Sequence, residues 1–269
     1  MLPLTHWPQV VTHAVRGVLT DIDDTLTRDG QLEPLALQAL HQLRDAGVPV
    51  IAITGRPAGW SEPFALAWPV LSIVAENGSM RLGNRNGVLE KQHVQAPEAR
   101  AANHRHLQAV LQSIEQQVPG AQRAQDSAGR ETDIAIDHSE FAHLSPTQIA
   151  QVVQHMREAG LTATVSSIHI NGWMGQHNKW TGAQWAVQEL LGRDLTQELD
   201  QWVYVGDSTN DQVMFQHMPF TVGVANIQRF ASQLEHLPRF VTQAERGAGF
   251  AEVAAQVLAQ RPTAAGMAT

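Results

Sequence analysis

Val18-Leu19-Thr20-Asp21-Ile22-Asp23-Asp24-Thr25-Leu26-Thr27 is the stretch that decides the fold of this chain. An apolar run ends in two carboxylates two residues apart, with Thr25 two positions further on. Residues i and i+2 of a strand share a face, so Asp21 and Asp23 at a strand end converge on one point. Carboxylates that close repel each other unless a cation or a proton lies between them. A phosphoryl-transfer centre needs this arrangement: a nucleophile that also binds metal, and a second acid beside it. Alone, the same short pattern also reads as an acidic helix cap or a solvated loop. Later segments of the chain decide between these readings.

Working outward, residues 17–21 read as a buried strand. Leu35, Leu37, Leu40 and Leu43 fall at helical spacing within 34–46, closed by Gly47. Residues 48–54 and 71–76 are near-continuous apolar strands, with a short helix expected at 62–67. Such alternation predicts a parallel sheet covered on both faces. The pattern changes after Gly78. A hairpin is expected around Asn86-Gly87, a long helix at 98–118 and an alternating strand at 132–137. A helix capped by Ser145 should run to 159, and one strand should span 161–170. Parallel-sheet rhythm returns with helices at 180–191, 209–217 and 250–259 and strands at 202–205, 220–224 and 240–241. The expected class is α/β: a Rossmann-like doubly wound parallel-sheet core (1–79 and 175–269) with a smaller α/β cap domain inserted at 80–174. Residues 262–269 are small and expected to fray.

The composition narrows the partners. The chain has 269 residues, 43% apolar and 16% charged, with a formal net charge of −8 and no Cys. That balance excludes a disordered chain, a disulfide scaffold and a generic nucleic-acid or anionic-membrane binder. No apolar stretch approaches the roughly 20 residues of a membrane span, and the first residues lack the pattern of a secretory signal. A cytoplasmic protein acting on a small-molecule phosphate ester is expected, without nucleic acid or membrane; the oligomeric state is not legible. Of its 18 Lys and Arg, only Lys91 and Lys179 are Lys, so each asks for a reason.

Three further segments carry candidate chemistry. In Thr54-Gly55-Arg56, after an apolar strand, a hydroxyl and backbone N–H groups can meet phosphate oxygens. Lys179 opens a helix, where a cation is disfavoured by the helix dipole, but where it could stabilise the spread charge of a phosphoryl transition state. In Gly206-Asp207-Ser208-Thr209-Asn210-Asp211 an apolar strand again runs into acids. Asp207 can bind Mg²⁺ directly, and Asp211 can hold a ligand water or brace Lys179. His169 and Asn171 alternate with Ile168 and Ile170, share one face and are candidates for substrate hydroxyls, with Trp173 or Trp60 as a stacking surface. His104, His106 and His155 fall on expected helices and read as exposed.

Taken in this order, the four segments resemble the haloacid dehalogenase (HAD) superfamily of phosphohydrolases. Asp21-Ile22-Asp23-Asp24-Thr25 is similar to its first motif, Thr54 to its second, Lys179 to its third and Gly206–Asp211 to its fourth. Glu76-Asn77-Gly78 before the insert resembles the sugar-phosphatase branch with a type-two cap (class IIB). In two places the motifs depart from the common form: Asp24 stands where Gly is commoner, and Trp180 follows Lys179 where many relatives have Gly. The resemblance implies Asp21 as nucleophile, Asp23 as acid and then base, and Thr54 and Lys179 as phosphoryl-binding groups. It implies Mg²⁺ on Asp21, the Asp23 carbonyl and Asp207, with Asn210 or Asp211 in support. Thr25, Gly55, Arg56, Asn77, His169, Asn171 and Asn210 are the expected substrate contacts. The expected reaction is Mg²⁺-dependent hydrolysis of a sugar phosphate or similar small organic phosphate through an aspartyl phosphate. The alternatives are a phosphomutase of the same fold and a non-catalytic sugar-phosphate-binding protein. A dehalogenase would not need an acid at position 23.

Overall fold

The computed structural model describes residues 1–7 and 14–260; the fraying expected at 262–269 lies outside them. In chain order the described residues form β1 (Leu2–Pro3), β2 (Gly17–Thr20), β3 (Thr27–Arg28), β4 (Gln31–Leu32), α1 (Pro34–Asp45), β5 (Val50–Ile53), α2 (Ala58–Ala67) and β6 (Ser72–Ala75). They continue with β7 (Met80–Arg85), β8 (Val88–His93), α3 (Pro97–Gln117), β9 (Gln122–Arg123), β10 (Asp133–Asp137), α4 (Pro146–Glu158), β11 (Thr162–Val165) and β12 (His169–Trp173). The last elements are α5 (Lys179–Leu191), β13 (Trp202–Gly206), α6 (Gln212–His217), β14 (Thr221–Gly223), β15 (Phe240–Val241) and α7 (Arg246–Ala259).

The large sheet has the order β1-β15-β14-β13-β2-β5-β6-β7-β8. It is parallel from β1 to β6 and antiparallel at β7 and β8. Side-chain alternation sorts its strands between two cores. Val18, Val50, Ala52, Val203 and Val205 face α1, α2 and α7. Leu19, Ile51, Ile53, Trp202 and Tyr204 face α5 and α6. Burying each side chain of this size is worth about 1.5–3 kcal/mol, so both faces hold the sheet. From β2 the chain proceeds outward through β5 and β6 on one side and later through β13 and β14 on the other. The switch point therefore lies between the carboxyl ends of β2 and β13, where open α/β sheets bind ligands.

A second sheet, β11-β12-β10-β9, is antiparallel. One face packs Ile134, Ile136 and Ile170 against Leu107 and Ile114 of α3 and Val152 and Met156 of α4. Its other face carries Asp133, Asp137, His169 and Asn171, all buried.

Several sequence expectations need correction. The hairpin at 80–93 extends the large sheet and is not the first piece of the insert: only Glu76–Ser79 separate β6 from β7, so the chain folds straight back onto the nearest free edge. The single strand expected over 161–170 is two strands. The Ser166 hydroxyl accepts the N–H groups of Ile168 (3.3 Å) and His169 (3.0 Å) and reverses the chain there. Helix α1 buries Ala36, Ala39, Leu40 and Leu43, leaving Leu35 and Leu37 outside. The helix expected at 62–67 starts at Ala58, whose N–H is taken by Glu76 at 3.0 Å.

Gly182, in the first turn of α5, seats that helix on the turn at Glu76–Gly78. A Cβ at Gly182 would lie 2.6 Å from the Gly78 Cα, and Gly78 itself has φ +102°. The tightest contact is with backbone, which cannot swing aside, and Val74 Cγ1 would lie 3.1 Å away as well. Gly182→Ala is expected to cost about 1–3 kcal/mol and to lower the thermal midpoint by several degrees. An unchanged midpoint would mean that α5 can retreat without loss.

Candidate active site

The site is assembled where four core strands run out. Asp21 follows β2, and its N–H continues the ladder to the Val205 carbonyl at 2.8 Å. Asp207 follows β13. Lys179 is the first residue of α5, whose entry is fixed by a reciprocal cap: Asn178 accepts from the Thr181 N–H at 3.0 Å and donates its own to the Thr181 hydroxyl at 2.9 Å. The ammonium donates to Asp21 Oδ1 (2.6 Å), Asp211 Oδ1 (2.7 Å) and Asn210 Oδ1 (3.2 Å). These three oxygens offset the dipole penalty of a Lys at a helix start.

Asp211 is spoken for on every side. Besides Lys179, its Oδ1 accepts from the Tyr204 hydroxyl, and its Oδ2 accepts the N–H groups of Asp207 (2.8 Å) and Ser208 (3.0 Å). It therefore braces Lys179, the second of the two roles read from the sequence, and has no oxygen left for a metal. Asp207 Oδ2 accepts from Asn226 at 3.0 Å, while its Oδ1 is buried without a hydrogen-bond partner among the described residues. Carboxylate oxygens of Asp21, Asp207 and Asp211 lie within 4.8 Å of one another.

Three buried carboxylates thus surround one ammonium. Burial pushes Asp21 up to about 8, with Asp211 and Asp23 adding to the effect and Lys179 opposing it. Burial, with Asp21 and Asp211, pushes Asp207 well above the usual carboxylate range. Burial also works against the Lys179 ammonium, but Asp21 and Asp211 outweigh it and hold the proton on. The centre is short of positive charge. The partnerless Asp207 Oδ1 and the hard oxygen donors around it fit a small divalent cation.

Asp23 stands beside this centre in a turn whose next residue, Asp24, has φ +55°, a left-handed backbone that favours Gly. Asp24 is held there by Arg246 (2.7 Å) and by Asn226, which donates to its carbonyl at 3.0 Å. The Asp23 carboxylate is gripped by Arg56, with Nε at 3.0 and 3.1 Å and Nη2 at 3.0 Å. Thr54 is buried, and its hydroxyl accepts the Arg56 N–H at 3.0 Å. Thr25 is fully buried, with its hydroxyl unpartnered among the described residues.

The second sheet closes over these groups. Asp21, Asp23, Gly55, Arg56, His169, Asn171 and Asn210 all line one cavity of about 10 Å³, room for about one water. A cavity of about 450 Å³ shares Asp23, Arg56, Ser167 and Ile168 with it and opens towards Asp24, Arg246 and Phe141. Of the expected substrate contacts, Asn171, Asn77 and His169 are here engaged with protein. Asn171 donates to the Gly55 carbonyl (3.3 Å) and to Asp133 (3.0 Å), Asn77 donates to Asp133 (3.4 Å), and His169 meets Glu140 (2.9 Å). Neither expected stacking surface reaches the cavity. Trp173 is buried against His177, and Trp60 lies among Phe64 and Trp68 with the Arg56 guanidinium 5.1 Å from its ring. Phe141, 62% exposed, is the aromatic residue lining the larger cavity. His104 and His106 are exposed as expected, whereas His155 is half-buried against Ser113 (3.0 Å).

Sequence reading gave no role to Tyr204, Asn226, Glu140 and Arg130, and quoted Glu76 only within the Glu76-Asn77-Gly78 resemblance. Asn226 could have been found as a polar residue just past a core strand end, and Tyr204 as the chain's one Tyr, on the β13 face opposite Val203 and Val205. Glu140 and Arg130 sit in segments without periodicity and gave no signal.

Carboxylates around one ammonium thus lie at the switch point of an α/β sheet, with a second sheet packed over them. A family model described as haloacid dehalogenase-like hydrolase matches residues 18–102. The phosphoglycolate phosphatase of Methanothermobacter thermautotrophicus is 26% identical over 244 residues, 88% of this chain and 96% of that protein. A solved protein of Thermoplasma acidophilum superposes with a TM-score of 0.71 at 17% identity, over 91% of this chain and 99% of the other. The sucrose-phosphatase of Synechocystis, in complex with sucrose and phosphate, gives 0.63 at 18% identity, over 91% and 98%. At such identities these two structures speak for the fold alone. The family model and the archaeal relative together support a haloacid dehalogenase-like phosphatase with a class IIB-like layout. Among the described residues no helix is long and apolar enough to cross a membrane.

Because Asp21 is pushed up from 3.8 to about 8, the folded protein keeps a proton there that the unfolded chain releases above about pH 4. Stability at this residue is therefore lost as pH rises from about 4 towards 8. In chelator-treated protein the thermal midpoint of wild type is expected to fall across that window relative to Asp21→Asn. A difference that stays constant with pH would show Asp21 ionised throughout.

Proposed function

We propose that the protein is a Mg²⁺-dependent phosphomonoesterase acting on a sugar phosphate or similar small organic phosphate through an aspartyl phosphate on Asp21. One observation carries the reading: Asp21 meets the Lys179 ammonium at 2.6 Å, has a carboxylate oxygen within 4.8 Å of one on Asp207, whose buried Oδ1 has no partner among the described residues, and lines a cavity together with Asp23. Asp21, Asp207 and the Asp23 carbonyl would hold the cation, which when bound supplies positive charge to the phosphoryl oxygens and to the crowded carboxylates.

The chain's own residues do the rest. The Asp21 oxygen not bonded to Lys179 attacks phosphorus, and the bond to the leaving oxygen breaks. Asp23 gives that oxygen a proton, then takes one from the water that hydrolyses the acyl phosphate. Lys179 stabilises charge spreading over the phosphoryl oxygens, with Thr54 and the Gly55 backbone beside it. The second sheet with α3 and α4, about residues 95–174, acts as the cap that excludes water. With room for only about one water above Asp21, substrate must enter while the cap is displaced.

The leaving group occupies the 450 Å³ cavity. Each arginine lining it is already paired: Arg56 with Asp23 and Glu140, Arg246 with Asp24, and Arg229 with Glu245. A carboxylate-bearing leaving group, such as that of the phosphoglycolate cleaved by the archaeal relatives, would find no unpaired arginine here. A neutral polyol suits hydroxyl and ion-pair walls better, which favours sugar phosphates.

The test is phosphate release from a panel of sugar phosphates and phosphoglycolate, with Mg²⁺ and with EDTA, beside Asp21→Asn. Release that needs Mg²⁺, is lost by at least about 10³-fold in the variant and is faster with sugar phosphates is the expected outcome. Turnover near wild type in Asp21→Asn would sink the nucleophile assignment. Isomerised hexose phosphate without free phosphate would mark a mutase.

A further inference from the structure

Asp23 must be aimed at the leaving oxygen, yet it sits in a turn with no ladder or helix to hold its side chain. Among the described residues, Arg56 is the one hydrogen-bonding partner of the Asp23 carboxylate. Arg56 is itself 4% exposed and stacked on Trp60. Its guanidinium is a planar fork with two usable edges. The edge formed by Nε and Nη2 grips Asp23. The other edge, Nη1 and Nη2, meets Glu140 at 3.2 and 2.7 Å, and Nη1 also reaches Asp126 at 3.2 Å.

Both of those carboxylates come from the second-sheet unit, and both are themselves fixed. Asp126 also pairs with Arg130 at 3.1 Å. Glu140 is held by His169 of β12 at 2.9 Å. The loop that carries Glu140 is stiffened by Asp137, whose two oxygens accept four successive backbone N–H groups from Ser139 to Ala142 at 2.9–3.2 Å. A continuous chain of charge-assisted bonds therefore runs from His169 through Glu140 and Arg56 to Asp23. Each link joins two rigid supports except the last.

We infer that Arg56 is a positioning residue that makes the aim of Asp23 depend on the seating of the second-sheet unit. Seated, Glu140 and Asp126 fix one edge of the guanidinium, and the opposite edge then allows Asp23 one orientation. Unseated, that edge is free and the Asp23 side chain is no longer constrained. Proton delivery is thereby restricted to the closed enzyme, when bulk water is excluded. The inference rests on the phosphatase reading above and deepens it.

Two esters separate this role from mere structure. Phenyl phosphate and p-nitrophenyl phosphate share a ring, but nitrophenolate leaves without needing a proton. Arg56→Lys keeps the charge and loses the fork; Glu140→Gln keeps the shape and weakens the link to the closing unit. Both variants, checked for an intact thermal transition, are expected to lose on the order of 10²-fold in single-turnover cleavage of phenyl phosphate. Their nitrophenolate burst should change by less than about 3-fold, the pattern expected of Asp23→Asn. Equal losses with both esters, or no loss with either, would overturn the inference and leave the phosphatase standing. Selective loss in Arg56→Lys alone would overturn the dependence on the closing unit. Failure of wild type with Mg²⁺ to cleave either ester would remove the phosphatase reading, and this inference with it.

Discussion

The Lys179 ammonium, buried among carboxylates, is the interaction on which the rest of the centre depends. At an effective dielectric near 20, unit charges 4 Å apart interact by about 4 kcal/mol, and removing one partner of a buried pair costs about 3–5 kcal/mol. Such a group survives only if its surroundings are built to hold it. Here α5 is brought close by glycine against backbone, its first turn is capped, and Asp211 is fixed by Tyr204 and two backbone N–H groups. The strands contribute by ending at the right places: Asp21 and Asp207 meet because β2 and β13 are neighbours in parallel register. One ammonium does not balance three carboxylates, and the remaining charge deficit is what makes the centre fit for a cation.

The face that closes over this centre is polar, unlike the two cores beneath it. Asp133 lies between Arg130, Asn171 and Asn77, and burial pushes it up to about 7 with Arg130 opposing. Glu76, fully buried, accepts the N–H groups of Ala58, Glu131 and Thr132 together with the Thr132 hydroxyl. Burial works against the Glu140 carboxylate, but His169 and Arg56 outweigh it and hold it down at about 2. Interfaces of this kind are specific in register without the large apolar area that would weld them shut. An apolar contact of the same extent would hold the cavity closed, and no substrate could enter.

Legibility in the sequence followed periodicity. The two-sided strands of the large sheet and the helices on it were readable because every second residue is committed to one of two cores. The expectations that failed were those where pairing is chosen by proximity. The 80–93 hairpin joined the nearest free edge, and the 161–173 segment reversed at Ser166 instead of running on. Candidate residues fared the same way. Those at strand ends, Asp21, Thr54 and Asp207, were readable from an apolar run meeting a polar residue. Glu140, Asp126 and Arg130 lie in irregular segments, and nothing local distinguishes them from solvated loop residues.

By itself the sequence determined which strands are buried on both faces, where each runs out, and which acids and which rare Lys stand at those ends, because backbone periodicity and side-chain chemistry are local properties. Tertiary structure alone decided that Asp211 braces Lys179 with both oxygens committed, while Asp207 keeps a buried oxygen without a partner among the described residues. It alone turned Arg56 from an expected substrate contact into a clamp on Asp23 shared with Asp126 and Glu140, from 70 and 84 residues away. Whether a charged group is free or committed depends on which distant oppositely charged group the fold brings to it, and in a low-dielectric interior that choice sets its role.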